Sequence, residues 1–144
     1  IALFDIWVEN DDRKPTNTNL LFTPAEGRFR ITAIDHCFTF ATLNYNDLPF
    51  GEVSISYNDT ILFSTLGKAI KKNNKLNKAF VENIEENFYV CIQRCEKYYE
   101  QIINNIPKSL GFDSKCSENV HTFLFHTDRN KKVFQDFITK IRAK

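Results

Sequence analysis

The chain reads DRKPTNTNLLFTPAEGRFRITAID over residues 12–35. Two apolar runs in this stretch, residues 20–22 (LLF) and 29–34 (FRITAI), have the composition of β-strands, and residues 24–27 (PAEG) between them are a turn sequence. The stretch therefore predicts a β-hairpin. Antiparallel pairing brings the two ends of such a hairpin, and the polar residues beside them, close together.

Three polar residues flank the predicted hairpin: Asp12, Asn17 and Asp35. An Asp, an Asn five residues later and a second Asp beyond a hairpin are what a kinase needs in the lower half of its active site. The first Asp orients the attacking hydroxyl, and the Asn and the second Asp hold the magnesium ions that bridge the nucleotide phosphates. Magnesium prefers oxygen ligands and keeps several waters, so a few protein oxygens suffice.

Turn formation is the alternative explanation, because Asp and Asn are common in loops for conformational reasons alone. On that interpretation residues 10–12 (NDD) end a helix, and Asn17 and Asn19 stabilise a turn. Two features favour a functional site: Arg13 directly follows the first Asp, and Asp35 ends a β-branched run where a purely structural carboxylate has no evident purpose. Asp11 is a second candidate for the catalytic base beside Asp12.

Residues 4–17 (FDIWVENDDRKPTN) and 33–36 (AIDH) together resemble the catalytic core of the HipA-like kinases. The Asp-Arg-x-x-x-Asn loop is also similar to that of the phosphoinositide lipid kinases, a more distant group. The resemblance implies that Asp12 is the catalytic residue and that Asn17 and Asp35 are metal ligands. The adjacent Arg13 favours Asp12 over Asp11.

The resemblance extends over most of the chain, since residues 106–111 (IPKSLG) are similar to part of the family's C-terminal lobe. It implies an α+β fold, mainly α, in which a small β-hairpin bearing the catalytic loop is backed by several helices. The implied activity is ATP- and magnesium-dependent phosphoryl transfer to a hydroxyl, that of a protein serine or threonine. A HipA-like kinase of this kind is expected in the cytoplasm.

No glycine-rich phosphate loop and no strand-borne lysine precede the motif. We therefore expect residues 1–144 to be a single domain, the C-terminal lobe of a longer kinase, and to be inactive or nearly so by itself. The expected partners are the N-terminal lobe and either a protein substrate or an antitoxin-like protein. The alternative function is a non-catalytic interaction module: a pseudokinase-like lobe, or the toxin half of a toxin–antitoxin pair.

Charge and hydropathy argue against a nucleic-acid-binding protein and against a membrane protein. The net charge of +1 does not predict a nucleic-acid binder, although five lysines lie close together between residues 68 and 78. A solvated helix face accounts for these lysines. No apolar run approaches the length of a membrane-spanning helix, so we expect no membrane partner. The four cysteines lack metal spacing and are expected to be buried free thiols.

Helical periodicity dominates outside the hairpin. Apolar residues predict helices over residues 1–9, over 64–70 with Ser64 as the cap, and over about 77–105. The last of these would be about 43 Å long, so we expect it to bend or break. Two more helices are predicted after it in the chain, one around Val120 and one around Phe134. Residues 36–63 show no clean period.

The sequence leaves the roles of two further side chains open. Arg13 either pairs with a carboxylate in its loop or approaches a phosphate, and a structural pairing is favoured. His36 either orients Asp35 through a hydrogen bond or anchors the backbone.

Overall fold

A computed structural model of the chain describes residues 1–42, 44–45, 48, 60–73 and 76–143. The described elements, in chain order, are α1 (Ala2–Trp7), β1 (Leu20–Ala25), β2 (Arg28–Ala33), α2 (Thr65–Asn73), α3 (Lys78–Lys97), α4 (Tyr99–Ile103), α5 (Ser114–Phe125) and α6 (Thr127–Arg142). Short 3-10 turns lie at Thr39–Thr42, Ile61–Phe63 and Lys108–Leu110. The described residues are thus mainly helical with one small antiparallel sheet, which confirms the predicted α+β class. Half of the segment 36–63, for which the sequence shows no clear periodicity, lies outside the described residues.

The predicted hairpin is present, with a tighter turn than the sequence indicated. Leu20 pairs with Ala33 at the open end, and Ala25 pairs with Arg28 at the closed end, so Pro24 belongs to β1 and not to the turn. The turn consists of Glu26 and Gly27, both at positive φ (44° and 76°). A two-residue turn with positive φ at both positions matches the twist of the strands it joins, which explains why the loop is so short.

The first helix is shorter than the predicted span 1–9. Glu9 adopts a left-handed backbone conformation with φ 48°, and the N–H of Asn10 then donates to the carbonyl of Asp5 at 2.8 Å. Helix α1 packs against α6, and its residues Ile6 and Trp7 belong to the main apolar core. The buried members of that core come from α1, the 61–63 turn, α3 and α6: Ala2, Ile6, Trp7, Val8, Ile61, Leu62, Phe88, Ile92, Val133, Phe134, Phe137 and Ile141.

The long predicted helix is broken, as its length suggested. Helix α3 begins after Asn77, whose side chain accepts from the N–H of Phe80 at 2.9 Å, and α4 resumes after Tyr98. The break redirects Tyr99 into a second apolar cluster, where its hydroxyl donates to the carbonyl of Ser117 at 2.7 Å. The predicted helices around Val120 and Phe134 are α5 and α6, and both of these side chains are buried.

Helix α2 lies directly on the 61–63 turn. Ser64 caps it as predicted, since its hydroxyl accepts from the N–H of Gly67 at 3.1 Å, but the helix extends beyond residue 70 to Asn73. A Cβ atom on Gly67 would lie 2.5 Å from the carbonyl oxygen of Ile61 and 2.6 Å from that of Leu62. Backbone therefore packs on backbone at this position.

The cysteines are free, as predicted, but the prediction that they are buried was wrong. Cys37, Cys91 and Cys95 are exposed and Cys116 is half-buried. Cys91 and Cys95 lie in the C-terminal half of α3 and line an open groove. Among the described residues, no helix is both long and apolar enough to cross a membrane.

Candidate active site

The loop between α1 and β1 is a tight polar turn. The N–H of Lys14 donates to the carbonyl of Asn17, and the N–H of Asn17 donates to that of Lys14, both at 3.0 Å. Pro15 and Thr16 form the tip. A residue before proline is disfavoured in helical geometry, so the extended pairing of Lys14 follows from the sequence. This turn folds Asn17 back towards Asp12.

The carboxylate of Asp12 is held by two side-chain amides. Asn17 Nδ2 lies 3.0 Å from each of the two carboxylate oxygens, and Asn19 Nδ2 donates to Oδ2 at 2.8 Å. The side chains of all three residues are partly buried. An ionised carboxylate only accepts hydrogen bonds and has room for about four, so these donors orient Asp12 and leave it further accepting capacity. Asn17 turns its nitrogen towards Asp12, and no hydrogen bond to its Oδ1 is found among the described residues.

Arg13 fastens this loop to both α1 and the hairpin. Its Nε lies 3.0 Å from both carboxylate oxygens of Asp5, and its Nη1 donates to the carbonyls of Asn19 at 2.8 Å and Ile34 at 2.9 Å. The side chain is fully buried. The favoured structural pairing is therefore what the structure shows, although the carboxylate comes from α1 and not from the loop.

Burial also acts on the partner of Arg13. The pKa of Asp5 is raised, because the effect of burial exceeds the opposing effects of the hydrogen bonds from Arg13 and Asn10 and of the charge of Arg13. The ion pair is thus desolvated on both sides. A desolvated pair of this kind holds its geometry tightly, because either partner left alone would be a buried charge without compensation.

Asp35 lies at the open end of the hairpin, two residues beyond β2. Its backbone is left-handed with φ 56°, and its side chain is exposed. Cys37 Sγ donates to Asp35 Oδ1 at 2.9 Å. This hydrogen bond is the main reason why the pKa of Asp35 is lowered, with smaller contributions from the charges of Arg13 and His36.

His36 does not supply the hydrogen bond to Asp35. Its ring packs edge-on against Phe4, with the ring centroids 5.7 Å apart, and its carbonyl accepts from the N–H of Thr39 at 3.3 Å. Anchoring of the chain to α1 is therefore the role that the structure gives to His36.

The three predicted site residues are brought together to different degrees. Asp12 and Asn17 are in direct contact, whereas Asp35 hydrogen-bonds to Cys37 and, in the described part of the chain, to neither of the other two. Two hydrogen bonds bridge the gap: the side chain of Arg13 donates to the carbonyl of Ile34, and the N–H of Ile34 donates to the carbonyl of Asn19 at 3.0 Å. The negative charge of Asp12 also contributes to raising the pKa of Cys37, the hydrogen-bond donor to Asp35, after the larger effects of Asp35 and of burial.

A metal at this site would rely on few protein oxygens. Within the described ranges, no three His, Cys, Asp or Glu side chains are grouped to bind a metal ion. The ligand set expected here has one carboxylate and one amide, from Asp35 and Asn17, which suits magnesium only when phosphates and water complete its coordination.

Sequence reasoning missed Asp5, Cys37 and the side chain of Asn19 as contacts of the site. Asp5 lies on α1 and meets Arg13 only because the chain reverses at Glu9. Asn19 was interpreted as a turn former, which its φ of 43° agrees with, but its amide donor also contacts Asp12. The signal that was present in the sequence is an Asn immediately before a strand and seven residues after an Asp.

An apolar groove of about 720 Å³ lies beside the hairpin, between α1, α2, α3 and α6. Leu20 and Ile31 of the hairpin contribute to its wall, and Cys91 and Cys95 line it from α3. The hairpin itself is poorly covered: Leu21 is 51% exposed, Phe22 52% and Phe29 70%. Phe22 and Phe29 share the face of the hairpin that carries Leu20 and Ile31, whereas Leu21 lies on the opposite face. Exposed apolar side chains beside a groove are typical of a contact with another protein segment.

Comparison of the chain with protein-family models, with curated proteins and with solved structures found no match.

Proposed function

We propose that the chain is the C-terminal lobe of a HipA-like kinase, which transfers the γ-phosphoryl group of ATP to the hydroxyl of a protein serine or threonine. The observation that carries the proposal is the carboxylate of Asp12, fixed by the amides of Asn17 and Asn19 in a partly exposed loop. A turn-forming Asp has no need of two side-chain donors from residues that lie five and seven positions further along.

In this proposal, Asp12 acts on the acceptor hydroxyl. Its remaining lone pairs accept the proton of the attacking hydroxyl and orient its oxygen towards the phosphorus atom. Asn17 Oδ1 and Asp35 would hold Mg²⁺, which when bound with ATP neutralises the charge on the phosphates. Asp35 is an exposed carboxylate whose pKa is lowered mainly by its hydrogen bond from Cys37, which is compatible with the ionised form that a metal ligand requires.

The buried pair of Arg13 and Asp5 supports the same proposal. Catalytic groups have to be held within a fraction of an ångström of their working positions. Arg13 provides this by tying the residue after Asp12 to α1, to Asn19 and to Ile34, which directly precedes Asp35. A loop of turn formers alone would not need a fully buried guanidinium at its centre.

The exposed apolar side chains of the hairpin would be covered by an N-terminal lobe. A two-stranded hairpin is marginally stable alone, and here Leu21, Phe22 and Phe29 project without cover. The nucleotide would lie between the two lobes. A protein substrate or an antitoxin-like protein would be a further partner, and the cytoplasm would be the compartment.

Alanine variants of the three site residues in the full-length protein test the proposal. Asp12→Ala should lower turnover by about 10²–10⁴-fold, as for a lost general base, and leave Mg-ATP affinity largely intact. Asp35→Ala should weaken both magnesium-dependent nucleotide binding and turnover, because it removes a charged ligand. Asn17→Ala should act like Asp35→Ala but more mildly, since a neutral amide contributes less to binding a dication.

Asp11→Ala is the matched control, because Asp11 is the neighbouring carboxylate and the other candidate base. It should keep turnover near the wild-type value. Turnover and Mg-ATP affinity are measured for each variant after thermal melting has shown that it is folded. Folded Asp12→Ala and Asp35→Ala proteins with wild-type phosphoryl transfer would show that these residues are turn formers.

A non-catalytic interaction module is the second candidate function. The uncovered apolar hairpin and the adjoining groove favour it, because both fit a surface that binds another protein segment. In that case the full-length protein would show no phosphoryl transfer, and Asp12→Ala would leave partner binding unchanged.

A further inference from the structure

We infer that Asn19 is a positioning residue for the proposed reaction: its side chain fixes the carboxylate of Asp12, and its backbone joins that carboxylate to the strand that leads to Asp35. The inference rests on the kinase function proposed above, and it assigns a role to a residue that the sequence motif does not include. Asn19 does not touch the reacting groups and acts only through Asp12.

The side chain of Asn19 makes the shortest hydrogen bond to Asp12. Asn19 Nδ2 lies 2.8 Å from Oδ2, whereas Asn17 Nδ2 lies 3.0 Å from both oxygens. One donor that is shared between two oxygens does not fix the plane of a carboxylate, but a second donor to one oxygen does. If Asn17 turns towards a metal ion, Asn19 remains as the donor that holds Asp12.

The backbone of Asn19 makes the second connection. Its carbonyl accepts from Arg13 Nη1 at 2.8 Å and from the N–H of Ile34 at 3.0 Å. Ile34 directly precedes Asp35, and Arg13 directly follows Asp12. A single residue thus links both halves of the proposed site, in addition to the hydrogen bond from Arg13 to the carbonyl of Ile34.

The identity of the residue fits both tasks together. Asn19 has φ 43°, in the left-handed region that Gly, Asn and Asp enter more readily than other residues. Glycine would allow this backbone but has no side chain, and aspartate would present an acceptor to the carboxylate of Asp12. Of the three, only asparagine combines the backbone conformation with a hydrogen-bond donor.

Two substitutions separate the side chain from the backbone. Asn19→Gly keeps the left-handed conformation and removes only the amide, and Asn19→Asp keeps the shape but replaces the donor with a second carboxylate. In the full-length protein, Asn19→Gly should lower kcat by about tenfold or more, as expected for a lost hydrogen bond to a charged group, with KM for Mg-ATP unchanged. Asn19→Asp should lower kcat further, because two carboxylates would face each other.

Glu26→Gly is the matched control for the backbone. Glu26 also has a left-handed φ, 44°, but it lies in the turn at the far end of the hairpin from Asp12. This variant should keep both kcat and KM. A purely structural role for Asn19 would change the melting temperature and leave kcat of the folded protein unchanged, or alter kcat and KM together.

Asp12→Ala in the same assay distinguishes the two ways in which the inference can fail. Wild-type kcat in Asn19→Gly, combined with strong loss in Asp12→Ala, overturns the role of Asn19 and leaves the kinase proposal standing. Wild-type turnover in a folded Asp12→Ala protein, or no phosphoryl transfer by the unmodified protein, overturns both. A kcat loss in Asn19→Gly with unchanged KM and a normal Glu26→Gly protein supports the inference.

Discussion

Two arginines are fully buried in this molecule, and each pairs with a carboxylate in or directly after α1. Arg13, in the polar loop, meets Asp5, and Arg129, on α6, meets Glu9. Arg13 uses its Nε and Nη1 on acceptors from three separate segments. Arg129 places only Nη2 in hydrogen bonds, to the carbonyl of Trp7 at 2.8 Å and to Glu9 at 3.3 Å.

The remainder of the Arg129 guanidinium is packed and not hydrogen-bonded. Its Cζ lies 3.5 Å from the centroid of the Phe123 ring, and its Nε and Nη1 have no hydrogen-bond partner within the described residues, whereas Arg13 leaves only Nη2 without one. Burial lowers the pKa of Arg129, an effect that Glu9 opposes. The two arginines therefore have different roles. Arg13 defines the positions of polar groups, whereas Arg129 fills space between helices with a flat charged group.

The largest expected effect concerns the Arg13 region. Asp5→Ala should lower the free energy of unfolding by about 3–5 kcal/mol, because it leaves the buried guanidinium of Arg13 without a counter-charge. Urea denaturation measures this change. Asp128→Ala is the control, since Asp128 forms an exposed ion pair with Lys131 and should have little effect. Equal losses in the two variants would mean that the Asp5 pair is not desolvated.

Replacement of both partners in each pair should sharpen the contrast between the two arginines. The double variant Arg129→Met with Glu9→Met should recover most of the stability that Arg129→Met alone loses, because apolar groups can replace a packed ion pair. Arg13→Met with Asp5→Leu should recover less, by about 1–3 kcal/mol, because Arg13 donates to two carbonyls, those of Asn19 and Ile34, whereas Arg129 donates to one, that of Trp7.

Denaturant unfolding of the single and double variants measures how much of the lost stability each double variant recovers. The contrast between the regions would be broken if both double variants recovered the same fraction of the lost stability.

The smallest expected effect lies in the helical region, away from Arg13. Asp113 caps α5 by accepting from the N–H of Cys116 at 2.8 Å, and this hydrogen bond lowers the pKa of Asp113. A carboxylate with a depressed folded-state pKa stabilises the protein above its ordinary pKa, and the contribution is lost as the pH falls through the folded value. Asp113→Ala should therefore lower the melting temperature at neutral pH and make no difference in strong acid, without changing turnover.

Asn77 offers the matched control for this titration, because its neutral amide caps α3 in the same way. Asn77→Ala should lower the melting temperature by a similar amount at every pH. A deficit in Asp113→Ala that persists unchanged in acid would show that the charge of the cap contributes nothing.

The sequence predicted those features that depend on neighbouring residues. Apolar runs of strand composition and turn chemistry predicted the hairpin, and helix length alone indicated the break that lies at Tyr98. The contact between Asp12 and Asn17 follows from a short loop constrained by Pro15. Each of these depends on fewer than about thirty consecutive residues.

Features that depend on the path of the chain were not predictable in this way. The pairing of Arg13 with Asp5 requires the left-handed residue Glu9, which nothing in its side chain demands. The exposure of Cys91 and Cys95 depends on how α2 and α3 are separated by the groove, which periodicity does not report. Donation from Cys37 to Asp35 likewise depends on a left-handed Asp35.

Gly67 limits how this protein can change over evolutionary time. Any side chain there would overlap the carbonyl oxygens of Ile61 and Leu62, which are backbone atoms and have no alternative rotamers. A sequence that replaced this glycine would have to move α2 away from the 61–63 turn, and one wall of the groove would move with it. A single codon therefore restricts the shape of a surface to which more than twenty residues contribute.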